Sequence, residues 1–182
     1  PFPVPEKIVE ALKENAHRKE YLPIQGLTEL RENISKYLFK RTGNDYPKEN
    51  ILITPGSKEA MLLIHIAFNG EIIIPAPGWV SYEPQAEIGS NKVHWLETSI
   101  ANNWFPTGKE LEKKIKSIGK KKNLILILNS PNNPSGVTCN NLEELAKVAK
   151  KNRIMVLSDE IYTDLTFSNE YNSISKFYPE LT

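Results

Sequence analysis

Apolar residues along this chain fall into two patterns. In one they stand side by side without alternation: Ile51–Ile53, Ile72–Ile74, Leu124–Leu128 and Ile154–Leu157. Runs this short, with no polar face, fit strands buried on both sides of a parallel sheet. In the other they recur at helical intervals: Ile8, Val9, Leu12 and Ala16; Leu27, Leu30, Ile34 and Leu38; Met61, Leu62, Ile64 and His65; Leu111, Ile115 and Ile118; Leu142, Leu145, Val148 and Ala149. A further strand is predicted over Lys92 to Leu96. Strands alternating with helices predict an α/β domain, a three-layer α/β/α arrangement around a largely parallel sheet. Asn141 and Glu144 open the last helix at the spacing of an N-terminal cap pair. No repeat, low-complexity tract or linker marks a domain boundary.

The places where apolar runs stop carry the candidate chemistry. Leu124–Leu128 ends at Asn129, and Pro131, Pro134 and Gly136 then force a loop. Ile154–Leu157 ends at Ser158, Asp159 and Glu160. Parallel sheets bind ligands outside the carboxyl ends of their strands, so Asn133, Asp159 and Tyr162 are predicted to face one pocket. At the turn after Ile51–Ile53, Gly56 would let backbone approach a ligand, and the amides opening the next helix at Ser57 suit a phosphate dianion. Trp79 follows the Pro77-Gly78 turn and is placed to lie flat on an electron-poor ring. Each residue also has a plainer reading. Asn133 could stabilise its proline-rich turn, Asp159 could cap a helix begun at Glu160, Trp79 could plug the core, and Tyr21 could anchor its own loop.

Charge and composition narrow the options. With 23 basic and 22 acidic residues the formal net charge is +1, which creates no global field for drawing in nucleic acid or an anionic membrane. Lysines thicken from Lys113 to Lys122, but Leu111, Ile115 and Ile118 interleave with them, so a solvated helix face is expected. The one cysteine, Cys139, cannot form an internal disulfide, and a reducing cytoplasm is the simplest compartment. No apolar stretch reaches membrane-spanning length. His17, His65 and His94 have no metal-ligand spacing with one another or with Cys139, and are expected to be structural or surface residues.

Asn129-Ser-Pro-Asn-Asn-Pro-Ser-Gly136, followed one helix later by Ser158-Asp-Glu-Ile-Tyr162, resembles the signature pair of the class I/II aminotransferases, fold-type I enzymes that use pyridoxal 5'-phosphate. Gly56-Ser57-Lys58, Trp79, and Tyr21 with Gly26 and Leu30-Arg31 occur in the family's order, so the resemblance covers essentially the whole chain. It implies that Gly56, Ser57 and Lys58 cradle the cofactor phosphate and that Trp79 stacks on the pyridine. Asp159 would keep the ring nitrogen protonated, while Tyr162 and Asn133 would hold the ring's 3-oxygen. Asn133, with Trp79 beside it, would also bound the substrate, and Tyr21 would reach the phosphate in the other subunit of a homodimer. The implied activity is amino-group transfer between an L-amino acid and a 2-oxo acid. A carbon-sulfur lyase, a cyclopropane-carboxylate synthase or a non-catalytic cofactor-binding module would keep nearly all these residues. Residues 1–182 are expected to form an N-terminal arm and part of the large domain. The cofactor-anchoring lysine and the carboxyl-terminal small domain would lie beyond Thr182, leaving the fragment inactive alone. Lys176 is not expected to be that lysine, because no buried strand precedes it and no Gly-x-Arg follows.

Overall fold

A computed structural model describes residues 2–119, 122–167 and 172–182. Four strands, β1 (Glu71–Ala76), β2 (Lys92–Glu97), β3 (Leu124–Asn129) and β4 (Met155–Asp159), form one parallel sheet in the order β2-β1-β3-β4. The helices are α1 (Glu6–Asn15), α2 (Thr28–Thr42), α3 (Ser57–Ala67), α4 (Tyr82–Ile88), α5 (Gly108–Ile118) and α6 (Leu142–Asn152).

The continuous apolar runs supply both faces of this sheet. Side chains alternate along a strand, so Ile72, Ile74, Ile125 and Ile127 pack with Met61 of α3 and with Tyr82 and Ala86 of α4. Ile73, Leu124, Leu126, Leu128 and Val156 pack on the other face with Leu111 and Ile115 of α5 and Leu142 and Leu145 of α6. Each fully buried aliphatic side chain contributes about 2 kcal/mol of apolar transfer. The predicted three-layer α/β/α fold is therefore the observed one.

The structure corrects three local expectations. Ile51–Ile53 is extended but is not a strand. Its Ile53 N–H donates to Gln25 O at 3.0 Å, and among the described residues no strand lies beside it to complete a ladder. The polar residues at the strand ends lie within the sheet rather than beyond it. Asn129 is paired with Asp159 in the last register position of β3 and β4, and β4 begins at Met155 rather than Ile154.

Asn141 and Glu144, thirdly, do not cap α6 reciprocally. Asn141 precedes α6 without a side-chain cap bond, because its Oδ1 accepts from the Cys139 thiol at 3.1 Å and its Nδ2 donates to Pro106 O at 2.9 Å. Glu144 instead accepts from the Gly108 N–H at 2.9 Å, capping α5, whose own Thr107 and Glu110 form a reciprocal capping box.

Lys113 and Lys116 are exposed on α5, in keeping with a solvated face, while Lys122 pairs with Glu71 at 2.9 Å. Lys120 and Lys121 lie outside the described residues. Lys176 is exposed at the end of the 3₁₀ turn Ile174–Lys176. No helix among the described residues is long and apolar enough to cross a membrane.

Candidate active site

From β1 the chain turns one way to β2 and later returns to place β3 on the other side, so the strand order reverses direction between β1 and β3. Loops leaving the carboxyl ends of neighbouring strands diverge there and leave a crevice. A cavity of about 80 Å³ occupies it, lined by Ser57, Trp79, Tyr82, Asn133, Asp159 and Tyr162 among others. It adjoins an apolar groove of about 260 Å³ walled by α3 and the end of β4. Five of the residues named from sequence thus meet in one place, and Gly56 and Lys58 flank them at the start of α3.

Local hydrogen bonds show why each side chain is available. Asn129, buried at the end of β3, donates through Nδ2 to Asp159 O at 3.0 Å and accepts the Asn133 N–H at 2.7 Å. Asn132 braces the proline-rich turn by accepting from the Ser135 N–H at 3.1 Å and the Ser135 hydroxyl at 2.8 Å. The plainer task considered for Asn133 therefore falls to its neighbours. Asn133 Nδ2 points instead to the Tyr162 hydroxyl, at 3.1 Å.

Asp159 likewise caps no helix: the chain after it forms turns, and its Oδ1 accepts a long bond, 3.3 Å, from the Ile161 N–H. Its Oδ2 accepts from the Tyr82 hydroxyl at 2.6 Å. Asp159 is 8% exposed and Tyr82 1%. Burial, and then the Asp159 carboxylate, push the Tyr82 phenol far above its ordinary value, so Tyr82 remains the donor across the working pH range.

Neither Tyr82 nor Asn129 was assigned a role from sequence. A signal for Tyr82 does exist: it follows Trp79 by three residues, about one helical turn, at the start of α4. The two rings meet edge to face, with centroids 5.5 Å apart and planes at 81°. Lys58 Nζ lies 5.4 Å from the Trp79 ring centroid. Gly78, on the turn before Trp79, closes the wall behind it: a Cβ there would stand 3.0 Å from Ile74 Cγ2 and 3.1 Å from Pro75 O.

The start of α3 is shaped for an anion. Gly56 precedes it at φ 139°, a conformation that other residues rarely adopt, and a Cβ built there meets nothing within 4 Å. The first helical amides have no side-chain cap, and Lys58 is the second residue of the helix. Tyr21 is fully exposed and does not line the pocket. Cys139 offers no nucleophile, since burial pushes its thiol up to about 11.

The donor set fits pyridoxal 5'-phosphate group by group. A buried carboxylate matches a protonated ring nitrogen, an amide and a phenol match the 3-oxygen, an indole matches the ring face, and an uncapped helix start beside a lysine matches the phosphate. Fold and pocket together define an α/β domain whose parallel sheet presents a polar-lined crevice at its topological switch point.

Within that class the lineage is clear. The family model described as aminotransferase class I and II matches residues 1–181, and the chain belongs to that family. It is 35% identical over 180 residues to an aspartate aminotransferase of Thermotoga maritima, covering 95% of this chain and 47% of that protein. It is also 35% identical over 179 residues to aromatic-amino-acid aminotransferase 2 of Thermococcus litoralis, covering 94% of this chain and 45% of that one. The solved aspartate aminotransferase from Thermus thermophilus with maleate superposes with a TM-score of 0.91 at 29% identity, over 100% of this chain and 48% of that chain. The chain spans about half the length of the curated relatives it matches.

Proposed function

We propose that this chain supplies the N-terminal arm and much of the pyridoxal-phosphate pocket of an aminotransferase that moves an amino group between an L-amino acid and a 2-oxo acid. The lysine that anchors the cofactor, and a small domain that grips the substrate carboxylate, would come from further polypeptide. One observation carries this reading: Asp159, the Asn133–Tyr162 pair and the uncapped start of α3 converge on a single crevice. When bound, the cofactor would supply an electron sink for the substrate's α-carbon.

The chain's own residues would prepare that sink. Asp159, held by Tyr82, would keep a proton on the ring nitrogen through opposite charge. Asn133 and Tyr162 would donate to the 3-oxygen and favour its ionised form. Trp79 would cover one face of the ring and exclude water from it. The α3 amides, the Ser57 hydroxyl and Lys58 would hold the phosphate and so fix the register of the ring against Asp159.

Titration with pyridoxal 5'-phosphate, followed by tryptophan fluorescence and cofactor absorbance, tests the assignment. Asp159→Asn should weaken binding about tenfold, the scale of one charge-assisted hydrogen bond. Equal binding by Asp159→Asn and the unaltered chain would remove Asp159 from the site.

The reading also includes a homodimer. No residue of α1 is buried, and Phe2, Leu12, Tyr21 and Ile24 of the arm are exposed, apolar surface that a second copy would cover. Sedimentation velocity should show a dimer; a monomer at every concentration would exclude the pairing for this chain.

A further inference from the structure

Tyr162 lies at the pocket rim on a segment with little packing of its own. After Asp159 the chain leaves the sheet, and Ile161, Leu165 and Phe167 are exposed. Its backbone bonds are local: Thr163 N–H donates to Glu160 O at 3.1 Å and Leu165 N–H to Tyr162 O at 3.0 Å, closing the 3₁₀ turn Thr163–Leu165. The Asn133 contact fixes one distance to the Tyr162 hydroxyl but not the direction from which the ring approaches.

Asp164, in that turn, is tied to a remote helix. Its Oδ1 accepts from Arg41 Nη1 at 2.5 Å and its Oδ2 from the Tyr37 hydroxyl at 3.3 Å. Tyr37 and Arg41 stand four residues apart on one face of α2 and touch each other, and the Arg41 guanidinium carbon lies 5.1 Å from the Tyr37 ring centroid. Both carboxylate oxygens are thus occupied from the same helix face, which fixes the orientation of Asp164 as well as its distance. The Arg41 side chain is 18% exposed, so the pair is partly sheltered although Asp164 is open to solvent.

The helix is itself well fixed. Buried Arg31 donates to Lys48 O at 2.9 Å and Gly26 O at 3.3 Å, and Asn44, just past α2, donates to Ser175 O at 2.7 Å.

We infer that Tyr37 and Arg41 are positioning residues for Tyr162: through Asp164 they clamp the turn after β4, so that α2 sets the direction of a pocket hydroxyl. Because α2 follows directly on the arm, the clamp also links that segment to the pocket. Only the consequence for cofactor binding rests on the proposed function; the clamp itself does not.

The test uses the full chain labelled with 3-fluorotyrosine, with the Tyr162 resonance assigned by its loss in Tyr162→Phe. Asp164 is exposed, so Asp164→Asn leaves the core untouched. In the unliganded protein this variant should shift or split the Tyr162 signal while leaving that of Tyr82 in place, and Asp164→Glu should restore it. An unmoved Tyr162 signal overturns the inference.

With pyridoxal 5'-phosphate as probe, Asp164→Asn should weaken binding about threefold, the scale of one exposed ion pair. It should cause no further loss in a Tyr162→Phe background. A threefold loss that persists there means Asp164 acts by another route and also overturns the inference. A chain that takes up no pyridoxal phosphate would instead refute the cofactor reading, and the fluorine comparison would then decide the clamp alone.

Discussion

At the residue scale, the contact between Tyr82 and Asp159 decides how the pocket carboxylate is presented. Asp159 is buried, and a buried carboxylate costs several kcal/mol unless donors compensate it. The Tyr82 hydroxyl at 2.6 Å is its short donor and the Ile161 amide at 3.3 Å its long one. Tyr82→Phe keeps the ring and its packing on Trp79 but removes the short bond. Stability should fall by about 1.5–3 kcal/mol, the worth of a hydrogen bond to a charged group. Urea unfolding would measure this, and a cost under about 0.5 kcal/mol would mean the carboxylate finds another donor. Asp159, Asn133 and Trp79 were legible in the sequence because each sits at or just past the end of a strand, where ligands bind, and Ser57 because it opens a helix directly after the Gly56 turn. Tyr82 was not, because its partner is 77 positions away and spacing speaks only for neighbours.

At the element scale, periodicity located α1, α2, α3, α5, α6 and the four paired strands, but it gave no sign of α4, whose seven residues are too few to show a helical stripe. It failed where the outcome depends on a partner from elsewhere. Ile51–Ile53 has the composition of a strand but no neighbour to pair with among the described residues, and Glu144 has the position of a cap for α6 but serves α5. The second case can be tested. Glu144→Ala should cost about 1 kcal/mol by uncapping the Gly108 amide. Glu143→Ala, beside it and paired with Lys147 at the surface, should cost no more than about 0.5 kcal/mol. Equal losses in thermal or chemical unfolding would contradict the assignment.

At the scale of the whole molecule, one buried histidine links stability to pH. His65 of α3 is fully buried, and among the described residues neither ring nitrogen has a hydrogen-bond partner. Burial lowers its pKa below the ordinary value, and Asn91 nearby offsets only part of the effect. The unfolded chain therefore binds this proton more readily than the folded one. Stability from this site is full above about pH 6.5 and falls as pH drops from there toward the lowered folded value. His65→Leu should flatten the stability curve in that window; an unchanged slope would assign the acid sensitivity elsewhere.

The sheet also separates two regions that must meet different demands. Its carboxyl end holds the pocket. Its amino end is fastened by Glu71, whose carboxylate takes Lys122 at 2.9 Å and His94 at 2.6 Å. A six-residue strand such as β1 spans about 20 Å, well past the range over which substitutions usually interact. Changes at the two ends should therefore add: the combined cost of Glu71→Gln and Tyr82→Phe should equal the sum of the single costs to within about 0.5 kcal/mol. A designer altering the pocket could then restore lost stability by reinforcing the opposite rim, without disturbing the residues that line it.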